Sequence, residues 1–412
     1  MSTSTDRGAS PAAAHSCLLL FGGAAVLSFG YVQLTGNFNG DFFGVPASLS
    51  PWTEAGLLLL SLVPYVFAWL LYKFFSRRRA KFTIAVPHRA LTVTFFLLVL
   101  WFIALALKYE VGVLGKEIYD APAAIKPFIQ ISNRLNPFYL GVLFILTHRG
   151  TAKVRWTGIL LLIALGILRA GLGVFLYVGL ALLIRNHERL GTYLRRHRIT
   201  VVAVILIAPT FIAQMYEFRS SLRESVPSDT TMTVTEIVLA RLVGRLSSYS
   251  NSTYVFQESN HFRSEVRRLD PSYYAQQALG GVIGVAFLPA VTPERMLIGI
   301  DGTDYFDVSF MVGVPGNLYL AWLIGPEVFL VNIVLMAVMC AMVFFFARRL
   351  RVRYANEFAL MLLLYPLTSG VGNEFSTLAT AVAAFCVLFL VINVLSMQRP
   401  ATPPVALNQT LH

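Results

Sequence analysis

The stretch RWTGILLLIALGILRAGLGVFLYVGLALLIR, residues 155–185, decides how this chain is expected to cross a membrane. Its apolar halves, 156–168 and 170–184, flank the single charge of Arg169, and a basic cluster borders the stretch on each side. Short segments rich in Lys and Arg stay on the cytoplasmic side, so the chain between two of them must cross an even number of times. The stretch is therefore predicted to form a helical hairpin with its tip at Arg169.

Two arginines are expected deep within the apolar part of the molecule. Each arm of the hairpin holds about 13 residues, or roughly 20 Å of helix, which is less than a hydrocarbon core of about 30 Å. Arg169 is thus expected inside the outer leaflet, and Arg134 at a similar depth in the span 123–147, between Asn133 and Asn136. Such an arginine either faces the protein interior or a wet cavity, or it snorkels to the headgroups, and both interpretations stay open.

The composition of the whole chain indicates a polytopic membrane protein. Of 412 residues, 56% are hydrophobic and 13% are charged, and the mean hydropathy is +0.66, outside the range of soluble domains. Apolar runs of helical length, without an alternating strand pattern, predict an all-α protein with about ten transmembrane helices. These spans are expected near residues 16–34, 53–75, 90–107, 123–147, 156–168, 170–184, 199–215, 318–347, 357–372 and 377–397.

The net charge of +12 comes mainly from short clusters beside the apolar runs. This placement makes the charge a signal of topology, so no nucleic-acid partner is expected, and both termini are predicted to be cytoplasmic. The three cysteines all lie in apolar runs, which argues against a disulfide framework or a Cys metal site. The basic clusters are SRRRAK (76–81), HRGTAKVR (148–155), RNHERLGTYLRRHR (185–198) and RRLRVR (348–353).

This topology divides the chain into four parts. Residues 1–215 would hold transmembrane helices 1–7 with short loops, and residues 216–317 would form one large, mostly helical periplasmic loop. Residues 318–397 would hold helices 8–10, and residues 398–412 a cytoplasmic tail.

The large loop contains a predicted basic helix. Thr233 and Glu236 have the spacing of a capping box, so a helix should begin at about Val234. One face of it would carry Arg241, Arg245, Ser248 and Ser252. Two guanidinium groups one turn apart suit a phosphate or diphosphate, although an interfacial helix that touches lipid phosphates has the same pattern.

Other charged segments follow in the loop. A second basic helix is expected over 261–269 and should stop at Asp270-Pro271. Asp301, Asp304 and Asp307 recur at every third residue, and a solvated acidic turn is favoured over a metal site because no further oxygen ligands surround them.

The order of these features resembles the Wzy-type family of O-antigen and oligosaccharide repeat-unit polymerases. The resemblance rests on the many spans, the late outer loop with its basic helix, and a proline-rich passage before the next span. The matching residues are Leu288, Pro289, Pro293 and Arg295, followed by Gly316, Tyr319 and Gly325. It implies a GT-C-like, inverting, metal-independent glycosyltransferase without a cofactor, in a bacterial inner membrane.

The resemblance also implies a reaction and its partners. A glycan would move from undecaprenyl diphosphate to the non-reducing end of a lipid-linked repeat unit, with membrane lipids and a chain-length regulator as further partners. Negative charge on the leaving diphosphate requires preorganised cations. The expected cations are Arg134, Arg169, Arg241, Arg245 and Arg295.

Other residues are candidates for the base and for sugar binding. The acceptor hydroxyl needs a general base, for which Glu258 and His261 come first, with Glu374 and Asp307 behind them. Tyr249, Tyr254, Tyr273 and Tyr274 either stack on sugars or pack the loop onto the spans.

Two alternatives stay open. A ligase that moves the same donor onto another acceptor shares this architecture, although the absence of Asn or Ser after His261 favours the polymerase. A flippase or carrier for an anionic lipid would need charged residues through both leaflets, and the inner half of this chain is predicted to be sealed.

Overall fold

The computed structural model describes most of the predicted spans and part of the large loop. It covers residues 11–78, 80–113, 121–169, 171, 173–199, 202–203, 206–207, 210, 214, 243–266, 270–283, 312–369 and 372–397. Predictions that concern other residues lie outside the described chain.

The described residues are mainly helical, as the sequence predicts. The first seven helices are α1 (Pro11–Thr35), α2 (Pro51–Ser76), α3 (His88–Tyr109), α4 (Lys126–Arg134), α5 (Pro137–Thr147), α6 (Ala152–Leu168) and α7 (Gly173–Arg196). The next eight are α8 (Gly244–Leu246), α9 (Tyr249–Gln257), α10 (Ser259–Val266), α11 (Tyr273–Ile283), α12 (Gly313–Ile324), α13 (Pro326–Ala347), α14 (Ala355–Ser369) and α15 (Gly372–Met397).

Five of the described helices are long and apolar enough to cross a membrane. They are α1, α2, α3, α13 and the part of α15 from Glu374 to Leu395. The class of an all-α membrane protein is therefore confirmed. Other helices are shorter or more charged: α6 has 17 residues, or about 25 Å at 1.5 Å per residue.

The four basic clusters meet at one end of the helix bundle. Strands β1 (Ile84–Ala85) and β2 (Leu350–Arg351) pair in parallel just beyond α2 and α13. Arg78 lies close enough to Arg348 for their charges to repel each other, and Arg155 and Arg353 likewise repel Arg185. Arg353 also pairs with Glu188 at 3.6 Å. This end, named the basic end, thus unites the segments that were predicted to share one side of the membrane.

The hairpin of α6 and α7 is present, and Arg169 and Gly171 lie between its two arms. The N–H of Gly171 donates to the carbonyl of Gly166 at 2.9 Å, and a Cβ on Gly166 would overlap the side chain of Val174. Glycine is therefore needed where the two arms converge. The cluster at 185–198 was expected to be a loop, but α7 continues through it to Arg196.

Two predicted spans are broken. The span 123–147 divides into α4 and α5, because Pro137 disfavours helical geometry at Asn136, whose φ of 22° interrupts the helix. The span 318–347 divides into α12 and α13 at the extended residue Gly325, directly before Pro326. Each of these two predicted spans therefore contains two helices.

The predicted basic helix of the large loop is also interrupted. Residues 233–242 lie outside the described chain, and α8 ends at Leu246 because Ser247 adopts an extended conformation with φ −124° and ψ 132°. A new helix, α9, then packs against α1, α2 and α12. The predicted face from Arg241 to Ser252 is therefore not continuous. The second predicted helix exists as α10, and Asp270 precedes α11, which packs along α15 and α13.

Candidate anion-binding cavity

A cavity of about 370 Å³ lies at the end of the bundle opposite the basic end. It is named here the Arg169 cavity. Five parts of the chain line it: Gly112 in the segment after α3, the start of α5, the α6–α7 hairpin with the first turns of α7, α14, and the start of α15. The lining residues are Gly112, Asn136, Phe138, Tyr139, Arg169, Gly171, Gly173, Val174, Leu176, Tyr177, Tyr365, Glu374 and Thr377.

Arg169 brings a positive charge to this cavity. It caps the C-terminus of α6, where its N–H donates to the carbonyl of Leu165 at 3.1 Å. Its guanidinium lies 4.4 Å from the ring centroid of Phe102, and a Cβ on Gly112 would be 3.0 Å from its Cζ. Its Nε and Nη2 atoms are buried without a hydrogen-bond partner among the described residues. Arginine stays protonated in proteins, so this is a buried cation with unused donors.

Glu374 brings a carboxylate to the same cavity from the first turn of α15. The carboxylate interacts electrostatically with the hydroxyls of Tyr139 and Tyr177, and these two hydroxyls share a hydrogen bond. The rings of these two tyrosines meet edge to face at 5.8 Å, and the Tyr365 ring lies 6.4 Å from that of Tyr177. The cavity therefore combines a cation, a carboxylate and three phenol rings.

The break between α4 and α5 shapes one wall of the cavity. The Asn136 side chain accepts hydrogen bonds from the N–H groups of Phe138 at 3.0 Å and Tyr139 at 3.4 Å, which caps α5. This cap offsets the unpaired donors at the start of the helix. Arg134 is the last residue of α4 and is half-buried beside this wall, but it does not line the cavity.

The remaining predicted charged residues are not brought into the cavity by the described structure. Glu258 follows α9, where its carboxylate accepts from Gln257 Nε2 at 3.3 Å, and it does not line the Arg169 cavity. His261 lies in α10 and Arg245 in α8, and their side chains are outside the described structure. Arg241, Arg295 and Asp307 lie outside the described residues altogether.

The tyrosines that were candidates for sugar stacking pack inside the protein. Tyr249 is buried edge-on against Phe29 at 5.8 Å, and Tyr254 stacks on Phe42 at 3.6 Å. Tyr273 is also buried, at the start of α11. The side chain of Tyr274 is outside the described structure. These tyrosines were expected either to stack on sugars or to pack the loop onto the spans. Tyr249 and Tyr254 lie where packing requires them.

A polar cluster joins α9 to α1 and to the segment that follows α1. This α9 cluster consists of Ser28, Asn39, Asp41, Ser250 and Asn251. Ser28 donates to the Asn39 side chain at 2.6 Å, Ser250 donates to the same oxygen, and Asn251 donates to Asp41 at 2.8 Å. The buried side chains of Ser28, Asn39 and Ser250 are thus partnered with one another, which is how a structural polar network is stabilised.

An apolar groove of about 520 Å³ runs between α2, α12, α13 and α14. Its lining includes Pro64, Phe67, Leu318, Trp322 and Met336. Leu367 of α14 lines this groove, while Tyr365, two residues earlier, lines the Arg169 cavity on the other side of that helix. Because α14 ends at Ser369, the groove and the cavity approach each other at its end.

Arg169 and Glu374 were candidates from the sequence and line the same cavity, whereas the three tyrosines that line it with them were not candidates. Tyr139, Tyr177 and Tyr365 lie in apolar runs that were interpreted only as membrane spans. A phenol inside a span is a signal, because its hydroxyl needs a partner once buried. Their convergence depends on the packing of α5 and α14 against α7, which the sequence alone does not disclose.

These features define a helical membrane protein with a charged cavity at one end and an apolar groove beside it. Among the described residues, no three His, Cys, Asp or Glu side chains are grouped so as to hold a metal ion. No protein-family model, curated protein or solved structure matches the chain.

Proposed function

We propose that this chain is an O-antigen or oligosaccharide repeat-unit polymerase of a bacterial inner membrane. It would transfer a glycan from undecaprenyl diphosphate to the non-reducing end of a second lipid-linked repeat unit, with inversion and without a metal or other cofactor. The observation that carries this proposal is that Arg169, whose buried Nε and Nη2 have no partner in the described part of the chain, shares one cavity with Glu374.

Arg169 is suited to the leaving diphosphate. Guanidinium donors form strong charge-assisted hydrogen bonds with phosphate oxygens, and their strength increases where water is excluded. A buried charged group without a partner is also costly, so an anion in the cavity would offset that cost. Arg134, Arg241, Arg245 and Arg295 remain predicted further contacts to the diphosphate.

Glu374 is suited to the acceptor. In the proposed reaction, an acceptor hydroxyl attacks the anomeric carbon of the donor glycan while the bond from that carbon to the diphosphate oxygen breaks. The hydroxyl proton passes to the Glu374 carboxylate, and the bonding electrons leave with the diphosphate. Glu258, His261 and Asp307 remain alternative bases. Tyr139, Tyr177 and Tyr365 offer rings against which the sugars can lie.

The apolar groove is suited to the polyprenyl chain. Its lining is almost entirely hydrocarbon and aromatic, which favours an isoprenoid over a hydrated ligand. A chain in the groove would pass over the end of α14 at Ser369 to bring its diphosphate to Arg169.

Carriage across the membrane is the less favoured function. A carrier needs a polar path through both leaflets. Below the Arg169 cavity, α5 and α14 fill the bundle with buried aliphatic side chains, among them Leu140, Val142, Leu143, Leu360, Leu362 and Leu363. This packing supports chemistry at one face over passage through the protein.

The test is polymerisation by the purified full chain in liposomes that contain its lipid-linked repeat unit. Arg169→Gln is expected to lower the rate of chain growth about 10²–10³-fold, as removal of a well-placed donor to developing charge does. Arg149→Gln, which removes an exposed charge at the basic end, is the matched control and should leave the rate unchanged. Equal rates for Arg169→Gln and the wild type would refute the proposal.

Transfer of the glycan to a different acceptor would instead identify the ligase, and movement across the bilayer without bond formation would identify a carrier.

A further inference from the structure

Three arginines crowd together at the basic end. Arg78 follows α2, and Arg348 and Arg349 follow α13. The ends of these helices are held side by side by stacking of Phe75 on Phe344, with ring centroids 5.4 Å apart and planes inclined by 5°. The guanidinium groups therefore lie just beyond a rigid aromatic contact.

None of the three forms a salt bridge with a residue that the structure describes. Arg78 lies 4.0 Å from the Phe74 ring centroid and Arg349 lies 3.5 Å from that of Phe345. Arg349 also donates to the Phe345 carbonyl at 3.3 Å. The Nη2 atom of Arg348 is buried and has no hydrogen-bond partner in the described part of the chain.

Like charges repel one another at this site, and two helix ends partly offset that repulsion. Burial, together with the charges of Arg78 and Arg349, lowers the pKa of Arg348. The C-terminal dipoles of α2 and α13 attract cations, and this explains why arginines stand there. The dipoles do not supply an acceptor for the buried Nη2 donor, whereas an anion between the two helix ends would do so and would also reduce the repulsion.

We propose that Arg78, Arg348 and Arg349 bind the phosphate of an anionic glycerophospholipid at the basic end. A lipid is favoured over a free phosphate because apolar surface adjoins the charges. Phe74 and Phe345, the rings on which Arg78 and Arg349 lie, are 46% and 45% exposed. Acyl chains can lie on this surface while the headgroup meets the guanidiniums, as in basic pockets between membrane helices. This site is distinct from the Arg169 cavity and does not depend on the proposed function.

Native mass spectrometry of the full chain in detergent tests the proposal, with phosphatidylglycerol, phosphatidylcholine and inorganic phosphate as probes. We expect one phosphatidylglycerol to bind more tightly than phosphatidylcholine. Arg78→Ala should weaken that binding about 5-fold, and the double variant R78A/R348A about 30-fold, from the usual contribution of one basic residue near a membrane surface. Because Arg78 is exposed, the single variant should fold normally.

The matched control is the double variant R149A/R189A, which removes two exposed charges from the same end. It should keep its affinity for phosphatidylglycerol within about 2-fold, since general attraction to this end of the molecule is weak and screened. Three results would overturn the proposal: equal binding of the two lipids, an equal loss in the control, or unchanged binding in Arg78→Ala. Full displacement of the lipid by millimolar inorganic phosphate would indicate a free-anion site instead.

Discussion

The Arg169 cavity and the α9 cluster lie at the same end of the molecule, and both bury polar side chains. They differ in whether those side chains have hydrogen-bond partners. In the α9 cluster, the hydroxyls of Ser28 and Ser250 both donate to the side-chain oxygen of Asn39, so these three side chains satisfy one another. In the cavity, two buried donors of Arg169 have no partner among the described residues and lie beside about 370 Å³ of open volume. A satisfied network stabilises a fold, whereas an unsatisfied cation beside a cavity marks a place for a ligand.

The largest expected effect is on catalysis by the cavity. Glu374→Gln should lower polymerisation in liposomes about 10²–10⁴-fold, because the amide cannot accept the acceptor proton. Its thermal unfolding in detergent should change little, since the shape of the side chain is kept. Glu258→Gln is the control, because that residue does not line the cavity. A larger loss of activity in Glu258→Gln than in Glu374→Gln would indicate that Glu258 in the loop, and not Glu374, is the general base.

A second effect, on stability, is expected in the α9 cluster. Asn39→Leu leaves the hydroxyls of Ser28 and Ser250 without their shared acceptor, at a cost of about 1–3 kcal/mol for each group that stays unsatisfied. The melting temperature should fall, while polymerisation below that temperature should stay close to that of the wild type. A normal melting temperature with lost activity would show that the cluster, and not the cavity, contacts the substrate.

A smaller effect is expected from Gly112→Ala. The added methyl would lie 3.0 Å from Cζ of Arg169, and the φ of 76° also strains alanine. Displacement of the guanidinium should lower polymerisation about 10-fold or more. Gly44→Ala separates the two causes, since Gly44 has a φ of 85° with no atom within 4 Å of the added methyl. Similar losses in both variants would attribute the effect to backbone strain alone.

The smallest effect concerns the start of α11, which packs along the helix that carries Glu374. The N–H of Ser272 donates to the Asp270 carboxylate at 2.8 Å, and this bond, with that of the Ser272 hydroxyl, lowers the pKa of Asp270. A lowered pKa in the folded state means that the stabilisation is complete above the ordinary carboxyl pKa and is lost as pH falls below it. Asp270→Asn should thus flatten the decline of melting temperature below about pH 4, and an unchanged acid profile would contradict this.

Much of the fold follows from local signals in the chain. Arg169 flanked by two apolar arms predicted the α6–α7 hairpin, and the basic clusters predicted the shared basic end. The breaks at Asn136-Pro137 and Gly325-Pro326 were missed because the apolar runs continue across them. Hydropathy reports burial from water and is insensitive to where a proline interrupts helical geometry.

Two residues that line the Arg169 cavity were candidates from the sequence. Arg169 was a candidate because a charge inside an apolar run is expensive unless it has a role, and Glu374 was one of several carboxylates considered as the general base. Their meeting in one cavity could not be predicted, since it depends on how α6, α14 and α15 pack against one another. The tyrosine assignments to Tyr249 and Tyr254 rested on loop position, and the structure buries both between loop and spans.

The most direct test of the account is the affinity of the full chain for undecaprenyl diphosphate, measured by microscale thermophoresis in detergent for the wild type, Arg169→Gln and Asn39→Leu. Loss of a charge-assisted hydrogen bond in the cavity predicts about 10- to 100-fold weaker binding for Arg169→Gln. Asn39→Leu should bind as the wild type does below its melting temperature. Equal affinity of the wild type and Arg169→Gln would contradict the central claim that Arg169 holds the lipid diphosphate.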